Sequence, residues 1–100
     1  MKITNFPSKL RSISYRCFYN CTGLTNLTFH ANILDIYGEA FANCSNLQTV
    51  TFKGTPDTLA DDTFSGCSSL TTINVPWSRG AVSGAPWGAT NATINYNYTG

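Results

Sequence analysis

The stretch FANCSNLQTVTF, Phe41 to Phe52, decides the fold, because its skeleton occurs twice more: FYNCTGLTNLTF at Phe18–Phe29 and FSGCSSLTTINV at Phe64–Val75. A spacing of 23 residues aligns Phe18, Phe41 and Phe64, then Cys21, Cys44 and Cys67, then Leu24, Leu47 and Leu70. The same spacing aligns Leu27, Val50 and Ile73, then Phe29, Phe52 and Val75, and upstream Ile13, Ile36 and Leu59. Six columns kept across three copies without an insertion define a repeat protein.

Counting outward by the same period accounts for both ends. Forward, the Phe column reaches Trp87, the Ile column Val82, and the two strand columns Tyr96 and Tyr98. Backward, Leu24, Leu27 and Phe29 give Met1, Thr4 and Phe6. The chain reads as one domain over 1–100: a partial repeat at 1–17, three core repeat frames at 18–75, and a degenerate closing repeat at 76–100.

Within each copy, LTNLTF and LQTVTF alternate apolar and polar residues and are rich in Thr, the pattern of a strand with one buried face. In FANC and its equivalents the apolar residues fall three apart, Phe41 to Cys44 to Leu47, which predicts a helical or 3-10 turn on the convex side. One strand and one arc cannot bury their own apolar face, so the copies must stack. The expected architecture is an α/β repeat solenoid with one parallel sheet of about five strands, near residues 3–6, 24–29, 47–52, 70–75 and 93–98.

The Ala-Phe, Cys, Leu and two further apolar strand positions, at a period of 23, resemble the leucine-rich repeats of the BspA-like family. Gly38 keeps the glycine that the family commonly places before Ala-Phe, whereas Tyr15 and Asp61 stand there in the neighbouring copies. The tail VPWSRGAVSGAPWGATNATINYNYTG looks like the closing segment of such proteins in gut bacteria and their phages. The resemblance implies a right-handed leucine-rich-repeat solenoid displayed at a cell surface, secreted, or carried on a phage virion. It also implies adhesion and partner binding without catalysis.

Composition narrows function by exclusion. Only 11% of residues are charged and the net charge is +1, so nothing recommends nucleic acid or a membrane surface as a partner. No apolar run approaches the roughly 18 residues of a membrane span, and Met1 is not followed by a signal-peptide pattern. No paired carboxylates, Ser-His-Asp set or phosphate-binding glycine loop is present, and no cofactor is implied; GTPDT and SRGAVSG are turn chemistry.

The recurring cysteines are the one hint of chemistry. Stacked rungs lie about 4.8 Å apart, so Cys21, Cys44 and Cys67 should form a straight row. A zinc site needs ligands that converge on one point, and Cys17 falls in the column of Ala40 and Thr63 instead. The rung spacing permits a disulfide, but a row of three leaves one thiol over. The expected role is structural: a small buried hydrophobe repeated because the architecture repeats.

If Leu27 and Phe29 point inward, Asn26 and Thr28 point outward. The period of 23 then predicts two polar rows on the strand face: Ile3, Asn26, Thr49, Thr72, Asn95, and Asn5, Thr28, Thr51, Asn74, Asn97. These residues, with Trp77 just after a strand, are the candidate surface for a protein or glycan partner. Two other readings of the grid are a spacer whose Thr and Asn merely solubilise it, and an ice-binding hydroxyl array. Trp87, Tyr96 and Tyr98 are expected to close the core. Asn20, Asn26, Asn43, Asn91 and Asn97 satisfy the N-x-[ST] pattern, two of them through the repeated NC[TS] frame, and are treated as incidental. The first strand has no evident cap, which predicts self-association or an upstream neighbour at that end.

Overall fold

The computed structural model describes residues 6 and 9–99. Seven short strands follow one another: β1 (Ser12–Ile13), β2 (Asn26–Phe29), β3 (Asp35–Ile36), β4 (Thr49–Phe52), β5 (Thr58–Leu59), β6 (Thr72–Asn74) and β7 (Thr93–Asn95). They build two parallel sheets, ordered β2-β4-β6-β7 and β1-β3-β5. The fold is thus the expected parallel-sheet repeat solenoid, with a second ladder on the Ile13, Ile36 and Leu59 column. Two-residue strands are too short to show alternation, so that ladder left no strand signal in the sequence. Of the expected first strand, 3–6, only Phe6 falls among the described residues, and Ile3 and Asn5 lie outside them.

Register follows the repeat through β6: Asn26 pairs with Thr49, Thr49 with Thr72, and Ser12 with Asp35. The last rung is shorter. Thr72, Ile73 and Asn74 pair with Thr93, Ile94 and Asn95, a step of 21 residues instead of 23. Ile94, not Tyr96, therefore continues the Leu27–Val50–Ile73 column. The physical cue was already in the chain: Thr93–Asn95 repeats the TIN of Thr72–Asn74, and matching side chains in register outweighs keeping the period.

The convex arcs are turns instead of helices. Within a rung, Tyr19 N–H donates to Arg16 O and Cys21 N–H to Phe18 O, both three residues back, as in a 3-10 turn. The intervening amides donate across rungs: Phe18 N–H to Ala40 O at 2.8 Å, Asn20 N–H to Ala42 O at 2.8 Å, and Asn43 N–H to Ser65 O at 2.7 Å. Alternation between the two partners prevents a continuous helical ladder. It also demands left-handed backbone at Asn20 (φ 63°), Asn43 (φ 58°) and Gly66 (φ 76°). Asn and Gly are the residues that adopt it at least cost, which explains the Asn of the NC[TS] frame.

The core runs as one cluster from Phe6 to Ala89 and is organised in two aromatic columns. Phe6, Phe29 and Phe52 stack at 5.3 and 4.7 Å between centroids, and Phe18, Phe41 and Phe64 at 5.1 and 6.0 Å. The first column changes to Val75 in the next rung, and there the Trp77 indole lies edge-on against Phe52 at 5.3 Å. Trp87, fully buried, meets Phe52 at 6.2 Å and Trp77 at 5.9 Å, so two tryptophans close the end of the core. Each fully buried aromatic contributes about 1.5–3 kcal/mol of burial free energy, which makes this closing pair a main source of order in the last rung.

Candidate functional site

The strand face carries two polar rows, corrected by the shortened last rung. One is Asn26, Thr49, Thr72 and Thr93; the other is Thr28, Thr51, Asn74 and Asn95. Thr93 thus belongs to the face, and Asn95 moves into the second row. Asn97 lies beyond β7 with left-handed backbone (φ 56°), where its N–H donates to Trp77 O at 2.9 Å, and it forms part of a turn instead of the row. Trp77 is not an exposed contact residue either. Val75 leaves room in the aromatic column and the indole fills it, at 6% exposure.

The rows differ in how their side chains are engaged. In the second, Asn95 Nδ2 donates to Asn74 Oδ1 at 2.8 Å, and Asn74 Nδ2 donates to Thr51 Oγ1 at 3.2 Å. Asn74 is 6% exposed, so this relay satisfies a buried amide across three rungs. In the first row no side chain bonds to another described residue. Asn26 and Thr93 are exposed and Thr49 and Thr72 half-buried, so their hydrogen-bonding groups face solvent at the spacing of a parallel sheet.

The cysteine row has a more specific role than filling space. Cys44 Sγ donates to Phe18 O at 3.2 Å and Cys67 Sγ donates to Phe41 O at 3.1 Å, each reaching the carbonyl of the preceding rung. The same carbonyls accept the amides of Cys21 and Cys44 from their own rung. A thiol is small enough for the slot and still carries a hydrogen to donate, which Ala and Val lack. All four cysteines are free: Cys17 is exposed, Cys21 half-buried, Cys44 and Cys67 buried. The neighbouring Cys44 thiol and burial hold the Cys67 thiol above the ordinary value, and burial raises Cys21. A buried thiol that stays protonated is a poor nucleophile and a good structural donor.

A second polar cluster decorates the arcs. The Arg16 guanidinium bonds the Glu39 carboxylate through Nε and pairs with it through NH2, both at 2.9 Å, and it lies over the Tyr19 ring at 4.5 Å. Tyr15 Oη donates to the same Glu39 oxygen at 3.0 Å. The Arg16 and Tyr15 bonds hold Glu39 below the usual carboxylate range. Every partner is satisfied within the cluster, and such exposed pairs contribute little to stability. Among the described residues no group of three or more His, Cys, Asp or Glu is placed to hold a metal ion, and no helix is long and apolar enough to cross a membrane.

A family model described as "BspA type Leucine rich repeat region (6 copies)" matches residues 1–83. Comparisons with curated proteins and with solved structures gave no match.

Proposed function

The chain belongs to the BspA-type leucine-rich repeat family, and on that premise we propose that it is the binding module of a surface-displayed or secreted protein of bacterial or phage origin. Repeat modules of this family serve protein interaction or scaffolding, and their fold is not an enzymatic one. The chain recognises a protein or glycan partner through the strand face, with Asn26, Thr49, Thr72 and Thr93 making the contacts. The observation that carries this reading is the unengaged state of that row, since its side-chain donors and acceptors are aligned and bond to no other described residue.

A spacer without a ligand is favoured by a different observation. The Thr51–Asn74–Asn95 relay is satisfied internally, as a purely structural face would be. Charge on the open row separates the two readings. Wild type and a Thr49→Glu/Thr72→Glu variant are probed against an array of glycans and extracellular proteins. A component bound by wild type and lost by the variant, at unchanged thermal midpoint, supports the binding module. Equal signals from both chains mean that the strand face is a spacer.

A further inference from the structure

Where the shortened last rung ends, the chain turns back: Asn97 takes left-handed backbone and Tyr98 N–H donates to Val75 O at 2.9 Å. The returning segment borders an open cleft of about 340 Å³ at the C-terminal edge of the strand face, lined by Thr51, Phe52, Lys53, Pro76, Tyr98 and Thr99. That volume lies at the lower end of small-molecule sites and suits one hexose-sized ring.

The lining has a definite chemical sense. Lys53 is held at the strand end by its own amide, which donates to Phe29 O at 2.8 Å, and its ammonium has no ion-pair partner among the described residues. Thr51 Oγ1 already accepts from Asn74, which accepts from Asn95, so the relay runs in one direction and leaves the Thr51 hydroxyl hydrogen free to donate at the cleft. Donors polarised in series strengthen one another. Tyr98 and Thr99 add hydroxyls, none of the described residues that line the cleft is a carboxylate, and Pro76, Phe52 and the Tyr98 ring supply apolar wall. One unpaired cation, several hydroxyls and an apolar wall fit a carboxylated ring that itself carries hydroxyls.

We propose that this cleft binds a single carboxylate-bearing sugar residue, a uronic or sialic acid, with Lys53 and the Thr51 hydroxyl on the carboxylate and the sugar ring against Tyr98 and Pro76. The proposal deepens the binding-module reading and rests on it. The site is separate from the open row, and it gives the relay that favoured a spacer a use: to fix which way the Thr51 hydroxyl points. Lys53→Gln removes the charge, Thr51→Val the hydroxyl at equal shape, and Tyr98→Ala the wall.

The test is an NMR titration of the folded chain with methyl β-glucuronide and with the methyl glycoside of N-acetylneuraminic acid, which separates the two acidic sugars. Methyl β-glucoside, sodium acetate and N-acetylalanine serve as the neutral-sugar, bare-anion and peptide-carboxylate comparisons. The expected result is a Kd on the order of 1 mM for one acidic sugar, with shifts at the Thr51, Lys53 and Tyr98 amides. Affinity should fall about tenfold for methyl β-glucoside and for Lys53→Gln, because a charge-assisted contact is lost in both. Tyr98→Ala should weaken binding, and so should Thr51→Val, which also lowers the thermal midpoint because it removes the acceptor of the buried Asn74 amide. Equal binding of methyl β-glucoside, equal or tighter binding of acetate or N-acetylalanine, or no shift at these amides overturns the proposal. If that happens while Thr49→Glu/Thr72→Glu still abolishes array binding, the strand-face reading stands and the cleft alone is refuted. If the array variant also matches wild type, the binding module falls with it.

Discussion

Replacing Cys67 tests whether the recurring cysteine is a donor or only a small apolar side chain. The side chain is 3% exposed and its thiol donates to Phe41 O at 3.1 Å. Cys67→Ala removes one buried heavy atom, worth about 1 kcal/mol with the void it leaves. It also removes a weak hydrogen bond, worth about 0.5–1 kcal/mol, since Phe41 O keeps the Cys44 amide only at 3.4 Å. The total of about 1.5–2 kcal/mol lowers the thermal midpoint by roughly 6–16 °C in a domain of this size. Cys67→Ser keeps a donor aimed at the same carbonyl and should cost less than about 1 kcal/mol. If the slot were merely apolar, the order would invert, because an uncompensated buried hydroxyl costs about 1–3 kcal/mol. Urea and thermal unfolding of both variants give the ranking. A serine variant less stable than the alanine variant refutes the donor role.

Three further outcomes follow from described contacts. Cys67 is held above the ordinary 9.0 in the folded chain, so its contribution is fully present below that value and is lost as pH rises beyond it; unfolding midpoints measured from pH 7 to 11 should fall on the alkaline side, more shallowly in Cys67→Ala. A Cβ at Gly66 would run into the Asn43 side-chain oxygen and would also sit at φ 76°, so Gly66→Ala should cost about 1–2 kcal/mol; adding Asn43→Gly should recover part of that, and a double-mutant cycle in urea with no coupling would count against the clash. The Trp87 Nε1 donates to Ser83 O at 2.9 Å whereas the buried Trp77 Nε1 has no partner among the described residues, so calorimetry should show Trp87→Phe to be more destabilising than Trp77→Phe.

The columns at Phe41, Cys44, Leu47, Val50 and Phe52 carried the fold in plain text, because a solenoid repeats its environments and therefore its residue types. Three features were not legible in that way. The β1-β3-β5 ladder rests on two-residue strands whose only recurring mark is Ile13, Ile36 and Leu59. The arcs look helical by spacing, yet left-handed Asn20 and Asn43 redirect alternate amides to the next rung, and only the identity of Asn and Gly in that column hints at it. The last rung defeats a fixed period: TIN at Thr93–Asn95 signals the register, but counting on by 23 put Asn95 and Asn97 in the places that Thr93 and Asn95 occupy, two residues out of register. Trp77 looked available because it follows a strand, and only the shrinkage from Phe52 to Val75 creates the space that buries it. Of the strand face, Asn26, Thr28, Thr49, Thr51 and Thr72 were legible from alternation. Thr93 is marked only by the repeated TIN, and the Lys53–Tyr98 cleft depends on where the tail turns back, which no local pattern encodes.

The thiol bonds give the stack a polarity that shapes how such a chain can lengthen. Each donor reaches back from its own rung to the carbonyl of the one before, so a duplicated copy of residues 41–63 inserted after residue 63 would arrive with its own thiol and offer its own carbonyl to the next. Every junction inside the array would be chemically equivalent to the ones already there. The shortened last rung breaks that equivalence, since its two missing residues shift the strand against the arc and its tail crosses back over the strand ends. Growth by tandem duplication is therefore open in the interior and closed after β7, and natural length variants should differ by whole multiples of 23 residues upstream of Trp77 while sharing one ending.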